Sequence, residues 1–212
     1  MCRIRDVVES PRLTPTLIEP LDADGRTLAR AGLMRGWNGA LRRAGLLDTI
    51  SAKLTPQVRE LLRSPPPPTE WVDAAYFECV AQAVLDQVGE SQLDDLFLRA
   101  ARSGWAALIS RWAGGIVWVL GPSPANVLKH AQTAAARNTV GFSLLWSPTG
   151  ERAGDLFAEY PFRRRMHPAA AWGTSIACQI AADAVGVTMT RERPVIEPGT
   201  NGGLRVRARA SW

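Results

Sequence analysis

The sequence is poor in the side chains that most often bind metals, form disulfides or act as bases in catalysis. Its 212 residues include three cysteines and two histidines. Cys2, Cys79 and Cys178 lie far apart and form no C-x-x-C pair. This spacing supplies neither a disulfide framework nor a zinc site of the usual kind. We therefore expect reduced thiols in a cytoplasmic protein.

Motifs of the common enzyme classes are missing as well. The sequence has no G-x-x-x-x-G-K and no G-x-S-x-G. The glycines of the segment 199–203 connect two predicted strands, whereas a phosphate-binding loop leads into a helix. The spacing of Cys178 and His167 does not support a catalytic dyad. Because no nucleophile or base can be named, a non-enzymatic role is favoured and an enzymatic one stays open.

Long apolar runs are absent too. The most apolar window, 105–121, carries Arg111 and the pair Gly114-Gly115. A bilayer span needs roughly 20 apolar residues, so this window predicts a buried helix that leads into a buried extended segment. The N-terminus is charged within its first six residues, which argues against a signal peptide.

Positive charge, in contrast, is plentiful and is carried almost entirely by arginine. The net charge is +5, and lysine occurs only at Lys53 and Lys129. The final run, 204–212, alternates with period two, which places apolar residues on one face of a strand and Arg205, Arg207 and Arg209 on the other. We predict a solvated face for these arginines, with nucleic-acid binding by them as the alternative.

The order of local signals predicts an α+β fold. A helix opens at Pro168 and ends at Gly186, and strands follow on both sides of a turn at 198–203. A hairpin is predicted over 139–162. The N-terminal half shows helical periodicity throughout, with helices at 26–45, 46–53, 56–63, 69–88 and 91–113.

We expect a helical N-terminal half packed on a C-terminal antiparallel sheet of about four strands with an intervening helix. Residues 1–25 form an extended arm, and residues 26–212 form a single domain.

This order of parts resembles the haem-NO/oxygen-binding fold, which 4-vinyl-reductase-type and TRAPP-type domains share. The resemblance rests on a helix with His130, a hairpin with Tyr160-x-x-x-Arg164, a further helix and a last hairpin. The chain is similar also to an uncharacterised family with many paralogues in myxobacteria, through the W-x-x-x-x-Y helix at 71–76 and the aromatic residue that ends the last hairpin. The resemblance covers roughly residues 30–212.

Haem is the cofactor that this resemblance implies. In the haem-binding members a proximal histidine ligates the iron, and a Tyr-x-Ser-x-Arg motif holds the propionates. Matched by position, His130 is the ligand, and Tyr160, Phe162 and Arg164 form the motif. Phe162 stands where the family has serine, which removes one propionate donor.

Three hypotheses for the function remain. The first is a non-enzymatic regulatory or sensory domain that binds a small hydrophobic or acidic ligand, or a protein partner. The second is a haem-binding gas or redox sensor with His130 as axial ligand and only metal-binding residue, and the third is a dimeric interaction or scaffold module. We expect a pocket between the helical half and the sheet, with Arg164 at its mouth. Its predicted walls are Trp105, Trp112, His130, Tyr160 and Trp172.

Overall fold

The N-terminal half is helical, as its periodicity predicts. The computed structural model of the chain describes residues 17–104 and 121–212. Its longest helix, α4 (Ala74–Gly104), loses helical geometry at Gly89, where φ is 79°, and so consists of two helical arms. The shorter helices that contact α4 are α1 (Gly32–Arg43), α2 (Leu47–Ala52) and α3 (Pro56–Arg63).

Helices α1 and α4 approach each other closely because α1 carries a glycine at the crossing. A Cβ atom on Gly36 would lie 2.3 Å from the carbonyl oxygen of Ala100. Next to it, the fully buried ring of Trp37 meets Phe97 edge to face, with ring centroids 5.0 Å apart. This contact anchors the helical core, since aromatic pairs of this geometry add stability beyond the area that they bury.

The C-terminal half is an antiparallel sheet of five strands. Its strands are β4 (Ser143–Gly150), β5 (Ala153–Tyr160), β6 (Thr190–Arg191), β7 (Val195–Pro198) and β8 (Leu204–Ser211). Strands β4, β5, β8 and β6 lie side by side in that order, and β7 also pairs with β8. Strand β8 is therefore the central strand, and each of its apolar even-numbered residues from 206 to 210 is buried.

Two short helices and one longer helix complete the C-terminal half. Helices α5 (Pro124–Lys129) and α6 (Ala131–Ala135) pack against β4. A 3₁₀ turn, Pro168–Ala171, leads into α7 (Trp172–Val185), which packs against α4, β5 and β8. Gly186 ends α7 in the left-handed conformation that favours glycine after a helix.

A second, three-stranded sheet joins the two halves. In it β1 (Leu28–Arg30) lies between β2 (Trp71–Asp73) and β3 (Thr139–Val140), and both pairings are antiparallel. The sheet brings the start of α4 next to the strand that leads to β4.

The predicted class is confirmed: the chain is α+β, with helices first and an antiparallel sheet after them. Some boundaries differ. Thr69 does not begin a helix, because 71–73 pair with β1 and the helix starts at Ala74, whose neighbour Ala75 donates its N–H to the Asp73 carboxylate at 2.9 Å. The predicted strand 139–147 is divided between two sheets at Gly141, where φ is 83°. The sheet has five strands where about four were expected.

The apolar window 105–120 and the first 16 residues of the predicted arm lie outside the described residues. Within the part that is described, no helix is long and apolar enough to cross a bilayer.

Candidate functional site

A cavity of about 140 Å³ lies where the helical half meets the sheet. Helix α4 supplies one wall through Phe77, Glu78 and Phe97, helix α7 supplies the opposite wall, and Tyr160 at the end of β5 contributes to the lining. An engineered apolar cavity of about 150 Å³ in another protein binds benzene or xenon. The cavity is therefore large enough for a small ligand of about that size.

The cavity is apolar apart from a few groups. Its other aromatic lining residue, Phe142, stacks on Tyr160 with ring centroids 5.0 Å apart. The polar residues among the described lining residues are Glu78, Tyr160, Thr139 and Thr174. Apolar walls with a small number of polar groups are typical of ligand sites, where the polar groups orient the ligand.

Glu78 and Arg163 form a buried ion pair behind the cavity wall. Arg163 Nη2 donates to Glu78 Oε2 at 2.8 Å, the Arg163 side chain is fully buried and Glu78 is 6% exposed. Burial raises the pKa of Glu78 to about 7, although the charge and hydrogen bond of Arg163 and a backbone hydrogen bond from His167 lower it. The pKa of this carboxyl is therefore raised toward neutral pH, chiefly by burial.

Arg163 uses only part of its hydrogen-bonding capacity. Its Nη2 also donates to the backbone oxygens of Leu21, at 2.8 Å, and of Arg165, at 3.4 Å. Its Nε and Nη1 are buried and have no hydrogen-bond partner among the described residues. An unmade hydrogen bond of a buried donor costs about 1–3 kcal/mol, and more for a charged group, so these two groups favour an acceptor nearby.

The chain segment 18–22 lies against the loop that holds Arg163. The Asp22 carboxylate accepts the backbone N–H groups of Arg164 and Arg165 at 2.7 and 2.6 Å. Burial raises the pKa of Asp22, but these hydrogen bonds outweigh it and the net pKa is lowered. The Nε2 of His167 lies 2.8 Å from the carbonyl oxygen of Glu19. These contacts fix the loop and position the guanidinium behind the cavity.

The structure places the predicted site residues in different parts of the molecule. Tyr160 lines the cavity. His130 is exposed at the junction of α5 and α6, outside the cavity lining. Arg164 is exposed, and its Nη1 donates to the carbonyl oxygen of Pro161 at 3.0 Å. Trp172 packs on the helical core and faces a separate surface cleft. Trp105 and Trp112 lie outside the described residues.

The two described cysteines are buried, which raises the pKa of each thiol to about 12. Cys79 Sγ lies 3.9 Å from His167 Nε2. His167 therefore contacts Cys79, whereas Cys178 packs in a different cluster under the sheet. Thiols with such pKa values are protonated near neutral pH and are poor nucleophiles. In residues 17–104 and 121–212, no group of three or more His, Cys, Asp or Glu side chains could hold a metal ion.

The arginine row of β8 faces carboxylates of the neighbouring strands. Arg205 pairs with Glu159, and Arg209 pairs with Asp155 at 2.9 Å. Arg207 lies 3.7 Å from Glu197. The positive charge of the row is therefore largely compensated within the sheet, as expected for a solvated face.

The fold is that of haem-NO/oxygen-binding (H-NOX) domains. An H-NOX variant with an unnatural amino acid matches with a TM-score of 0.58 and 14% identity over 86% of this chain and 95% of that one. A variant of the T. tengcongensis H-NOX domain matches with a TM-score of 0.55 and 15% identity over 86% and 96%.

An oxygen-binding H-NOX domain related to soluble guanylate cyclases, in its oxygen complex, matches with a TM-score of 0.52 and 14% identity over 86% and 94%. No family model and no curated protein matches the sequence. At these sequence identities the similarity shows the fold alone. The ligand has to be inferred from the residues of this chain.

The residues at the cavity do not fit haem. The chain has two histidines, and neither His130 nor His167 is among the cavity-lining residues. Phe162, at the serine position of the propionate motif, is 45% exposed and offers no hydrogen bond. An acidic residue, Glu78, is among the lining residues, and the volume of about 140 Å³ is below the roughly 300–1,000 Å³ of sites for drug-sized ligands.

Sequence reasoning missed Glu78 and Arg163. It selected Arg164, because the Tyr-x-x-x-Arg spacing points to that residue, whereas its neighbour Arg163 is the buried one. The sequence did contain a signal for Glu78, since it stands between Phe77 and Cys79 in a predicted helix. The periodicity of the apolar residues predicts that one side of this helix is buried. A carboxyl group in such a position needs a buried partner.

Proposed function

We propose that the chain is a non-enzymatic sensory domain that binds a small ligand directly in the cavity between α4, α7 and β5. The observation that supports this proposal is an apolar cavity of about 140 Å³ whose lining residue Glu78 forms a buried ion pair with Arg163. The fold supports the proposal, because a solved structure with this fold is an oxygen-binding domain. Enzymatic chemistry has no comparable support, since the cysteines near the site are buried thiols with raised pKa values.

A thermal-unfolding experiment with toluene tests the proposal. Toluene is close in size to benzene, which fills a cavity of similar volume. A ligand present at about 100 times its dissociation constant stabilises the folded state by roughly 2.7 kcal/mol, and a chain of this length then unfolds about 5–10 °C higher. We expect a rise of this kind that saturates with toluene concentration.

Two alanines of α7 provide a matched pair of variants. Both are partly buried and pack against the same cluster under the sheet, but Ala177 lines the cavity and Ala184 is not among its lining residues. Ala177→Leu should fill the cavity and remove the effect of toluene, and Ala184→Leu should retain it. An equal response of both variants, or no response of the unmodified protein, would contradict the proposal.

A haem-binding gas sensor is the second candidate. The comparisons favour it over the other two sequence hypotheses, because the similar solved structures are H-NOX domains and one of them is an oxygen complex. The lining residues of this cavity, in contrast, do not favour it. An absorption spectrum recorded after addition of haemin distinguishes the haem sensor from a domain that binds its ligand without haem. A sharp Soret band that His130→Ala abolishes supports the haem sensor. We expect no such band.

A protein partner and a dimeric state stay predictions of the sequence.

A further inference from the structure

We propose that the ligand of the cavity is a small monocarboxylic acid, whose carboxylate lies beside Glu78 and Arg163 and whose apolar body fills the space between α4 and α7. The inference rests on the proposed function and names the chemical class of the ligand. It also assigns one proton to the complex: Glu78 is protonated when the acid is bound as its carboxylate.

The volume and lining of the cavity determine which apolar group the ligand can carry. The described lining residues are mostly apolar, and the side chains of Phe77, Phe97 and Phe142 are among them. With about 140 Å³, the cavity accommodates a body the size of a benzene ring or a short branched alkyl chain. Longer acyl chains exceed it.

The charges at the polar end favour an acid over an amine. The guanidinium of Arg163 donates to Glu78 at 2.8 Å, and Glu78 is one of the cavity-lining residues. The Nε and Nη1 of Arg163 have no partner in the described part of the chain. A bound carboxylate with one proton on Glu78 makes a neutral cluster with the guanidinium of Arg163, whereas an ammonium group would put two positive charges against one negative charge.

The surroundings of Glu78 make the proton available. Burial raises the pKa of Glu78 to about 7, so the carboxyl is poised to take up a proton when a second negative charge arrives. The charged and titratable groups that face it come from several elements. They are Arg163 of the loop after β5, Tyr160 of β5, Asp73 of β2, Cys79 of α4 and, through its backbone N–H, His167.

Calorimetric titration with benzoate tests the inference. Benzamide is the matched neutral probe, because it has the same ring and nearly the same shape. We expect benzoate to bind at least tenfold more tightly than benzamide. At about pH 8, titrations in two buffers of different ionisation enthalpy should show uptake of nearly one proton per bound benzoate, and at about pH 6 much less. Above pH 7 the affinity should fall roughly tenfold per pH unit.

Variants distinguish the contribution of the Glu78 carboxyl group to binding from the contribution of the cavity volume. Ala177→Leu should weaken benzoate binding at least tenfold, and Ala184→Leu should not change it. Glu78→Gln should remove the proton uptake; if this variant fails to fold, the buffer and pH series on the unmodified protein still decides.

Benzoate binding without proton uptake, or equally tight binding of benzamide, overturns the inference. Toluene binding without benzoate binding also overturns it and leaves the proposed function intact. If neither compound binds, both proposals fail.

Discussion

Two regions of this molecule pair arginine with carboxylates, and the comparison shows what burial does to the same chemistry. At the polar end of the cavity, Arg163 is fully buried and Glu78 nearly so. On the outer face of the sheet, Arg205 and Arg207 pair with Glu159 and Glu197 while remaining about one third exposed.

Water screens the pairs on the sheet, so each contributes little to stability. In the buried pair, loss of one partner leaves a charge that water does not reach. The sheet pairs therefore contribute to a solvated surface, whereas the buried pair holds two charged groups away from water.

The largest effect is expected from Arg163→Met. This change leaves Glu78 without its cation, and removal of one partner of a buried pair costs about 3–5 kcal/mol. The free energy of unfolding, measured by urea denaturation at about pH 8, should fall by that amount. Arg164→Gln is the matched control, since Arg164 is the exposed neighbour, and should cost less than about 0.5 kcal/mol. Equal losses in the two variants would mean that Arg163 is not a buried partner of Glu78.

The pH dependence of stability should come next in size. The pKa of Glu78 is raised from 4.5 to about 7, so between these values the folded state holds a proton that the unfolded state has released. Glu78 therefore stabilises the protein most below pH 4.5, and its contribution decreases as the pH rises to about 7, by on the order of 3 kcal/mol.

Urea denaturation across this range measures the decrease, and Glu78→Gln should remove it. The control Asp22→Asn acts in the opposite sense, because the pKa of Asp22 is lowered from 3.8 and its contribution is lost only as the pH falls below that value. If the Glu78→Gln variant kept the same decrease between pH 4.5 and 7, another group would be responsible.

A smaller effect is expected from Arg205→Gln on the sheet. Arg205 contacts the carboxylates of Glu159 and Glu197, and its guanidinium lies 5.2 Å from the ring centroid of Phe157. The loss should be about 1 kcal/mol or less and should shrink with added salt, because these contacts are partly exposed. Denaturation at low and high ionic strength measures it. A loss as large as that of Arg163→Met would abolish the distinction between the two regions.

Arg207→Gln should have the smallest effect. Its contact with Glu197 is long, at 3.7 Å, and Arg207 is about one third exposed. The change in the free energy of unfolding should stay within about 0.5 kcal/mol. The same denaturation series detects a larger change, which would show that the row acts as one cooperative network.

The sequence predicted the arginine face of the sheet and missed the buried pair, for a physical reason. Strict alternation along 204–212 determines which side of β8 meets the core, so the arginine face follows from period two alone. The end of α7 at Gly186 was likewise predicted from a local sequence signal. Both are properties of a few neighbouring residues.

The cavity depends on contacts that no local pattern contains. Glu78 and Arg163 are 85 residues apart, and only the packing of α4 against the loop after β5 brings them together. The strand at Trp71–Asp73 was missed for a related reason, because its pairing with β1 overrides the helical signal of the same residues. The resemblance to H-NOX domains supplied the overall layout correctly, yet its motif pointed to the exposed Arg164.

A crystal structure of the protein under xenon pressure shows whether the cavity itself can hold a small ligand. We expect a xenon atom between α4 and α7, in contact with lining residues such as Phe97 and Ile176. The same experiment on Ala177→Leu should show none there. A structure in which side chains close this space and no xenon enters would contradict the claim.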